Sequence, residues 1–430
     1  MKKILSLFLS IIMALSMFVI AVSADADYSF DAETGTLTIT GVDEITKAEV
    51  LSAVGDNKEA LKSVIIGAGV TKIGNSAFFG YSELTSVSIS DDATQIGNYA
   101  FLNSKKISSI NIPDAVTKIG NYAFQNCQGL TSIKIPKGID KIGNYTFAGC
   151  TGLTSVEIPD NITKIGNYSF HECTSLKSVS IPNTVTSIGS YAFLECSSLA
   201  SVVIPNSITS LGWHAFGSCT NLKNVTISNK LTEISNGVFS NCISITSIII
   251  PDSVTSIGDG AFMGCSGLIG VTIPDSVTSI GYSAFCDCTN LKSIIIPTGI
   301  TNIYPGTFSG CTSFKDIYYR GTEEQFKKIN VDNSEEDNTL FLNANVHYNW
   351  AGCVTHNWSD WKTVTAATTE SEGLEERVCT VCGTEESRTI DKLTKIQSLL
   401  KKILNFFKSL FQKIIDFFGN LFNFSSKAAI

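Results

Sequence analysis

One feature constrains this chain more than any other: an Ile-Gly pair recurs with a period of 23 and without an insertion. It stands at Ile73-Gly74, Ile96-Gly97, Ile119-Gly120, Ile142-Gly143, Ile165-Gly166 and Ile188-Gly189, then at Leu211-Gly212, Ile257-Gly258 and Ile280-Gly281. Ile234-Ser235 and Ile303-Tyr304 keep the register while losing the glycine, which makes eleven units. Five residues after each of these positions comes a phenylalanine, from Phe78 through Phe170 to Phe308, with no exception. Eight residues after the Ile of the pair, in nine consecutive units, comes a cysteine, from Cys127 to Cys311. Columns of Leu (Leu130, Leu153, Leu176), Val or Ile (Ile133, Val156, Val179) and Ile (Ile135, Ile158, Ile181) follow, and a proline such as Pro136 or Pro159 closes most units. A unit this short cannot bury its own apolar side, whereas stacked units share one continuous core.

The stretch Leu-x-x-Val-x-Ile ends with period two, so Val and Ile point inward and the residue between them points out, as in a half-buried strand. Proline cannot donate to a ladder and ends it. Val-x-x-Ile-Gly reads as a second extended segment, and Ala-Phe-x-x-Cys has room for one helical or 3-10 turn. With about 4.8 Å between strands, eleven coils would stack to roughly 50 Å.

These residues resemble the BspA-like leucine-rich repeats of bacterial surface proteins, whose unit reads Cys-x-x-Leu-x-x-Ile-x-Ile-Pro…Ile-Gly…Ala-Phe. Residues Tyr145 to Pro159 show that pattern almost complete. The resemblance implies a leucine-rich-repeat solenoid over 64–320, β-rich with short helical or 3-10 turns, and a non-enzymatic role in adhesion or host interaction. The unit carrying Ile234-Ser235, preceded by Ser228 where proline is usual, is the expected place for a local bend. Asp31 to Gly41 alternates Leu37 and Ile39 with threonines around Gly35, a hairpin signal that makes 25–63 an N-terminal cap. Thr322-Glu323-Glu324-Gln325 has capping-box spacing, so a short helix starts there, and Asn345 to Tyr348 returns as a strand; 321–350 is the C-terminal cap.

The two ends differ from this body. Residues 1–24 run from Lys2 and Lys3 through an apolar stretch to Ser23 and Ala24, the layout of a signal peptide for a secreted or surface-associated protein. Residues 392–430 place Leu393, Ile396, Leu400, Ile403, Phe407 and Leu410 on one helical stripe opposite several lysines. Lysines interrupt the run too often for a spanning helix. The net charge of -8 therefore hides a body of -16, once the two leader lysines and the tail's seven lysines against Asp416 are set apart. A basic amphipathic helix fits a peripheral membrane or envelope contact through 392–424, or equally a partner helix. The acidic body gives no reason to expect a nucleic-acid partner.

Catalysis needs an acid, base, nucleophile or metal gathered at one place. The repeats offer His171 and His214, two units apart and without a matching acidic pair, so no catalytic residue is assigned. The cysteine column reads as a reduced inward ladder, since nine is odd and a free Cys behaves as a small buried hydrophobe. Two outward columns are the candidate binding residues for an extracellular protein or glycan. Tyr99, Tyr122, Tyr145, Tyr168 and Tyr191 share one position in consecutive units, with Trp213 and His214 beside the next; they form either a contact surface or a self-stacking ladder. The outward strand residues turn apolar toward the C-terminal half, at Val203, Ile249 and Ile295.

The segment 351–391 is a separate small Cys/His module. Cys353, His356, Cys379 and Cys382 have the pairing of a structural zinc site, with a Cys379-Cys382 disulfide or neither as alternatives. It resembles the His-x-Trp…Cys-x-x-Cys-Gly modules of exported clostridial-type proteins, with Thr369 where those often carry a cysteine. An envelope spacer without a specific ligand is the alternative function for the whole chain.

Overall fold

Parallel strand pairing at a fixed offset of one repeat builds the body of the protein. Ser63 pairs with Ser86 and Val64 with Val87, and Ser132, Ile133 and Lys134 pair with Ser155, Val156 and Glu157. A second, shorter ladder runs through the Ile-Gly segments, where Ile73 pairs with Ile96 and Ile142 with Ile165. In this computed structural model the described residues are 27–55, 58–332, 338–352, 360–365, 373–378 and 385–390; the leader 1–24, the ligand candidates Cys353, His356, Cys379 and Cys382, and the segment 392–430 lie outside them. The chain forms two units, one ending at Trp350 and one starting at Ala351.

Side-chain alternation follows the period-two pattern. On Ser86–Ile89, Val87 and Ile89 are buried and the serines exposed. The phenylalanine column lies at the centre, with all eleven rings from Phe78 to Phe308 fully buried. Neighbouring rings stack nearly parallel, with centroids 5.2 Å apart at Phe170–Phe193 and Phe193–Phe216. The stack continues past the last repeat, because Phe308 lies 5.2 Å from Phe341 of the cap. A ring held between two others loses both stacks, each worth about 0.5–1.5 kcal/mol beyond burial, when it is removed.

Of the two expected forms, the Ala-Phe-x-x-Cys stretch takes the i→i−3 hydrogen bonding of the 3-10 turn and does not go on into a helix. Two successive tight turns make it up, closed by Leu102 N–H to Tyr99 C=O (3.2 Å) and Ser104 N–H to Phe101 C=O (3.0 Å) in one coil. Tyr99 and Asn103 both take left-handed backbone conformations, φ 58° and 62°, and the same two columns are left-handed in every coil. A left-handed residue interrupts a right-handed helix and turns N–H groups along the stacking axis. Tyr99, Phe101 and Asn103 accordingly donate to Asn121, Ala123 and Gln125 of the next coil, at 3.0, 2.8 and 2.9 Å. Neighbouring coils are thus bonded along as many as three lines, the outer-strand line lapsing at residues 245–250.

Both caps are continuations of the ladder. Asp27–Asp31 and Thr36–Thr40 form the expected antiparallel hairpin, and the second strand then pairs in parallel with Ser63–Ile66. Between them the helix Lys47–Val54 starts at Thr46, whose hydroxyl accepts from Glu49 N–H while Glu49 reaches back to Thr46 N–H. At the other end Thr322 and Gln325 make the expected capping box at the helix Glu323–Phe326, and Asn345–His347 pairs in parallel with Asp316–Tyr319.

The coil lacking the glycine and proline is the loosest part of the stack. Phe216 and Phe239 stand 6.1 Å apart, the widest step in the column, and residues 245–250 carry no regular strand. Its two substituted serines are buried but satisfied, Ser228 Oγ donating to Ile208 C=O (2.8 Å) and Ser235 Oγ to Leu211 C=O (2.7 Å). In the second unit, Lys362–Thr365, Gly373–Val378 and Glu385–Ile390 form an antiparallel three-stranded meander. Arg388 bonds Glu375 at 2.8 Å, and Trp361 lies 4.4 and 4.2 Å from the guanidiniums of Arg377 and Arg388.

Truncating Phe170 to Ala opens a cavity between two stacked rings and is expected to lower stability by about 3–5 kcal/mol. Urea unfolding followed by circular dichroism measures this, and Phe170→Leu is expected to lose clearly less.

Candidate functional site

The tyrosine ladder is real, and its faces are spent on itself. Tyr99, Tyr122, Tyr145, Tyr168 and Tyr191 stack at centroid distances of 4.8, 4.5, 4.5 and 4.5 Å in order along the column. The next member is His214 at 5.3 Å from Tyr191, and Trp213 is not part of the stack. Trp213 sits one column away with its indole 60% exposed. The ladder stops there because the following coil has Gly237 in the left-handed position (φ 61°), and a Cβ on it would meet the His214 ring at 2.1 Å. Burial lowers the His214 pKa, and its Nδ1 lies 3.1 Å from Ser240 Oγ. Burial, then the neighbouring phenols, raises the pKa of Tyr122 and Tyr168. What the column offers to solvent is a row of ring edges and hydroxyls.

Beside it runs an asparagine column that sequence reasoning missed. Asn75, Asn98, Asn121, Asn144 and Asn167 each accept, through Oδ1, the backbone N–H of the residue in the same column one coil later, at 2.8–2.9 Å. The signal was present in the recurring Ile-Gly-Asn. Gly120 shows why that tripeptide carries glycine: a Cβ there would stand 2.4 Å from Asn98 N. Trp213 takes the asparagine's place, donating its N–H to Ser190 Oγ at 3.2 Å.

On the strand face, Val203 and Ile249 are exposed, 61% and 46%. Ile295 is fully buried, which corrects the expectation of an outward apolar residue. It lies in register between Thr272 and Tyr318, next to the aromatic closure where Tyr318 packs on His347 (4.6 Å) and Trp350 (4.4 Å). The same column exposes Ile65 at its N-terminal end, 43%, a position the sequence reading passed over. A shallow groove of about 420 Å³ runs along this face, lined by Ser86, Ser88, Ser109, Asn111, Ser132 and Lys134 among others.

The cysteine column is inward and thiol throughout, with all nine residues buried. Each Sγ–H donates to the carbonyl of the phenylalanine 26 residues earlier, at 3.0 Å for Cys311 and 3.4 Å for Cys127. Ser104 does the same for Phe78 at 2.9 Å, which identifies the column as a set of buried donors. Burial pushes the Cys150 and Cys265 thiols up to about 12 and raises those of Cys127, Cys173, Cys196, Cys219 and Cys242 well above their ordinary value.

One grouping overturns the expectation that the repeat histidines lack acidic neighbours. His171 stands with Glu172 and Glu195, their ligand atoms all within 4.8 Å of one another. Glu195 follows Glu172 by one repeat, so the period itself was the signal. Of the other candidates, Cys353, His356, Cys379 and Cys382 lie outside the described residues, as does 392–424. No helix among the described residues is long and apolar enough to cross a membrane.

Stacked coils of constant length with a Leu column, an inward Cys and a Pro-closed strand define a leucine-rich-repeat solenoid. The family model described as BspA type leucine rich repeat region matches residues 56–151, 140–269 and 232–347 in six copies. The chain belongs to that family. A leucine-rich repeat protein from Bacteroides ovatus is 24% identical over 77% of this chain and 99% of its own, with a TM-score of 0.54. A leucine rich cell surface protein from Faecalibacterium prausnitzii is 27% identical over 71% and 96%, with a TM-score of 0.39. The pneumococcal vaccine antigen PcpA is 20% identical over 64% and 78%, with a TM-score of 0.48. None of the curated proteins matches this chain.

The thiol pKa values set a pH dependence. A thiol is uncharged when protonated and its folded pKa is raised, so the unfolded chain loses protons first and stability falls as pH rises above the ordinary thiol value of about 8.5. The loss runs on toward 12, where Cys150 and Cys265 titrate. The urea midpoint is expected to be clearly lower at alkaline pH than at neutrality, and the nine column thiols to resist alkylation at mildly alkaline pH until the chain is unfolded, as mapped by peptide mass spectrometry.

Proposed function

We propose that this chain is a secreted or cell-surface-held binding protein that engages an extracellular protein or glycan through the outward strand face, and that it performs no chemistry of its own. The observation that carries this reading is the exposure of Val203 and Ile249, β-branched apolar side chains left in water on a fold whose inward positions are filled. Toward the N-terminal end of the same face, a polar groove with Ser109, Asn111 and Lys134 supplies hydrogen-bonding groups of the kind that fix a partner's register. Membership of a repeat-scaffold family and the signal-peptide layout of residues 1–24 support it. Adhesion is the form of binding that the family resemblance implies, and the basic segment 392–424 would hold the protein at an envelope surface.

A ligand-free envelope spacer is the second reading. It is favoured by the tyrosine ladder, whose ring faces are occupied by one another and so serve the stack before any partner.

A screen of the full chain against immobilised matrix proteins and glycans separates the two. The binding reading expects saturable binding that weakens about tenfold or more when Val203 and Ile249 are both changed to Ser, since each loses roughly 1 kcal/mol of apolar contact. Circular dichroism is expected to be unchanged. Saturable binding that survives the double change removes the strand face as the contact surface, and an absence of binding to every ligand favours the spacer.

A further inference from the structure

Glu172 and Glu195 occupy the second left-handed column of two adjacent coils, at φ 56° and 61°. Elsewhere that column holds glycine, asparagine, serine or aspartate, residues that adopt this conformation more easily or are short. Here the sequence places two long carboxylates one coil apart, where like charges repel. His171 Nε2 stands 3.9 Å from Glu172 Oε1.

All three residues are held by the coil-to-coil backbone ladder. Gly149 N–H donates to His171 C=O at 2.7 Å, Glu172 N–H to Leu194 C=O at 2.9 Å, and Glu195 N–H to Gly217 C=O at 2.9 Å. The imidazole is further oriented by Tyr168, whose ring it meets edge-on at 5.6 Å and 84°. Its side chain is 22% exposed, against 48% for Glu172. The ring is thus anchored on the solenoid, and the carboxylates converge on it from solvent.

We propose that His171, Glu172 and Glu195 bind one divalent transition-metal ion of the zinc class. An ion at about 2.0–2.2 Å from a nitrogen and an oxygen ligand spans up to roughly 4.4 Å between them, and the 3.9 Å separation of His171 and Glu172 falls inside that span. The remaining ligand atoms, within 4.8 Å, close by rotation of exposed glutamate side chains. Two carboxylates and a neutral imidazole balance a charge of two. The nitrogen ligand selects zinc, copper or nickel over calcium or magnesium, which take oxygen ligands in larger number. Three protein ligands at a surface leave a coordination position open for water or for a donor from a partner. This site is independent of the binding reading and of the cysteine-rich segment.

The test uses the full chain, stripped with chelator and titrated with zinc chloride by calorimetry, with metal content measured after dialysis. Because Cys379 and Cys382 are zinc-ligand candidates elsewhere in the chain, the titration is run in the natural sequence and in a Cys379→Ser/Cys382→Ser background. In both, His171→Ala and His171→Gln are expected to remove one equivalent of bound zinc, and Glu195→Gln to weaken that equivalent by about tenfold or more. Circular dichroism and the thermal midpoint without metal are expected to stay unchanged. An unaltered zinc stoichiometry in the His171 variants, or an unaltered affinity in Glu195→Gln, overturns the assignment.

Discussion

Backbone hydrogen bonding between successive coils is the interaction on which everything else in this protein rests. Three lines of it run along the stack, through the outer strand, the Ile-Gly strand and the tight turns, as at Val64–Val87, Ile73–Ile96 and Phe101–Ala123. Each line requires the next coil to arrive at the same height and phase, and extra residues enter only between the lines, as the helix Lys47–Val54 does in the N-terminal cap. That requirement explains the glycine where Gly120 passes Asn98, since any side chain there would separate the two coils. It also explains the left-handed residues, which aim N–H groups along the axis, and the asparagine and cysteine side chains, which satisfy polar backbone groups that the ladder leaves over.

Because the coils repeat in phase, each sequence position becomes a row in space, and the rows have different physical characters. The phenylalanine row is fully buried and forms the core. The tyrosine row, two residues earlier, lies on the rim and stacks at shorter distances, 4.5 Å against 5.2–6.1 Å for phenylalanine. The strand row faces solvent over most of its length, with serine, asparagine and charge from Ser88 to Ser180 and exposed Val203 and Ile249 beyond. Binding surfaces on such a scaffold are made by changing one row over a few coils. The His171–Glu172–Glu195 grouping has the same origin, since a residue and its counterpart one repeat later become direct neighbours.

Much of this was legible from periodicity. The inward columns, both ladders, the hairpin before Thr36 and the capping box at Thr322 follow from local pattern, because each depends on residues within one coil or one turn. The helix Lys47–Val54 was legible by the same Thr-x-x-Glu signal at Thr46 and was passed over. Ile295 was misread because a period-two pattern gives the direction of a side chain and says nothing of what lies above it; there the aromatic closure of Tyr318, His347 and Trp350 adjoins. The turn at Ala-Phe-x-x-Cys was legible but its flanking left-handed residues were not, because a backbone φ near 58° at tyrosine is not a preference of tyrosine. The stack imposes it.

By itself the sequence determined the repeat length, the inward rows, the family and the positions of the caps, since all of these are carried by residue type at a fixed spacing. Only the tertiary structure decided which rows turn their faces to each other instead of to solvent. It ended the aromatic ladder at His214 against Gly237, withdrew Ile295 from the surface and left Val203 and Ile249 upon it. It also brought Glu195 back beside His171. The physical reason is common to all four: exposure and proximity are properties of neighbouring coils, and the repeat period names the neighbour without fixing how the two side chains meet.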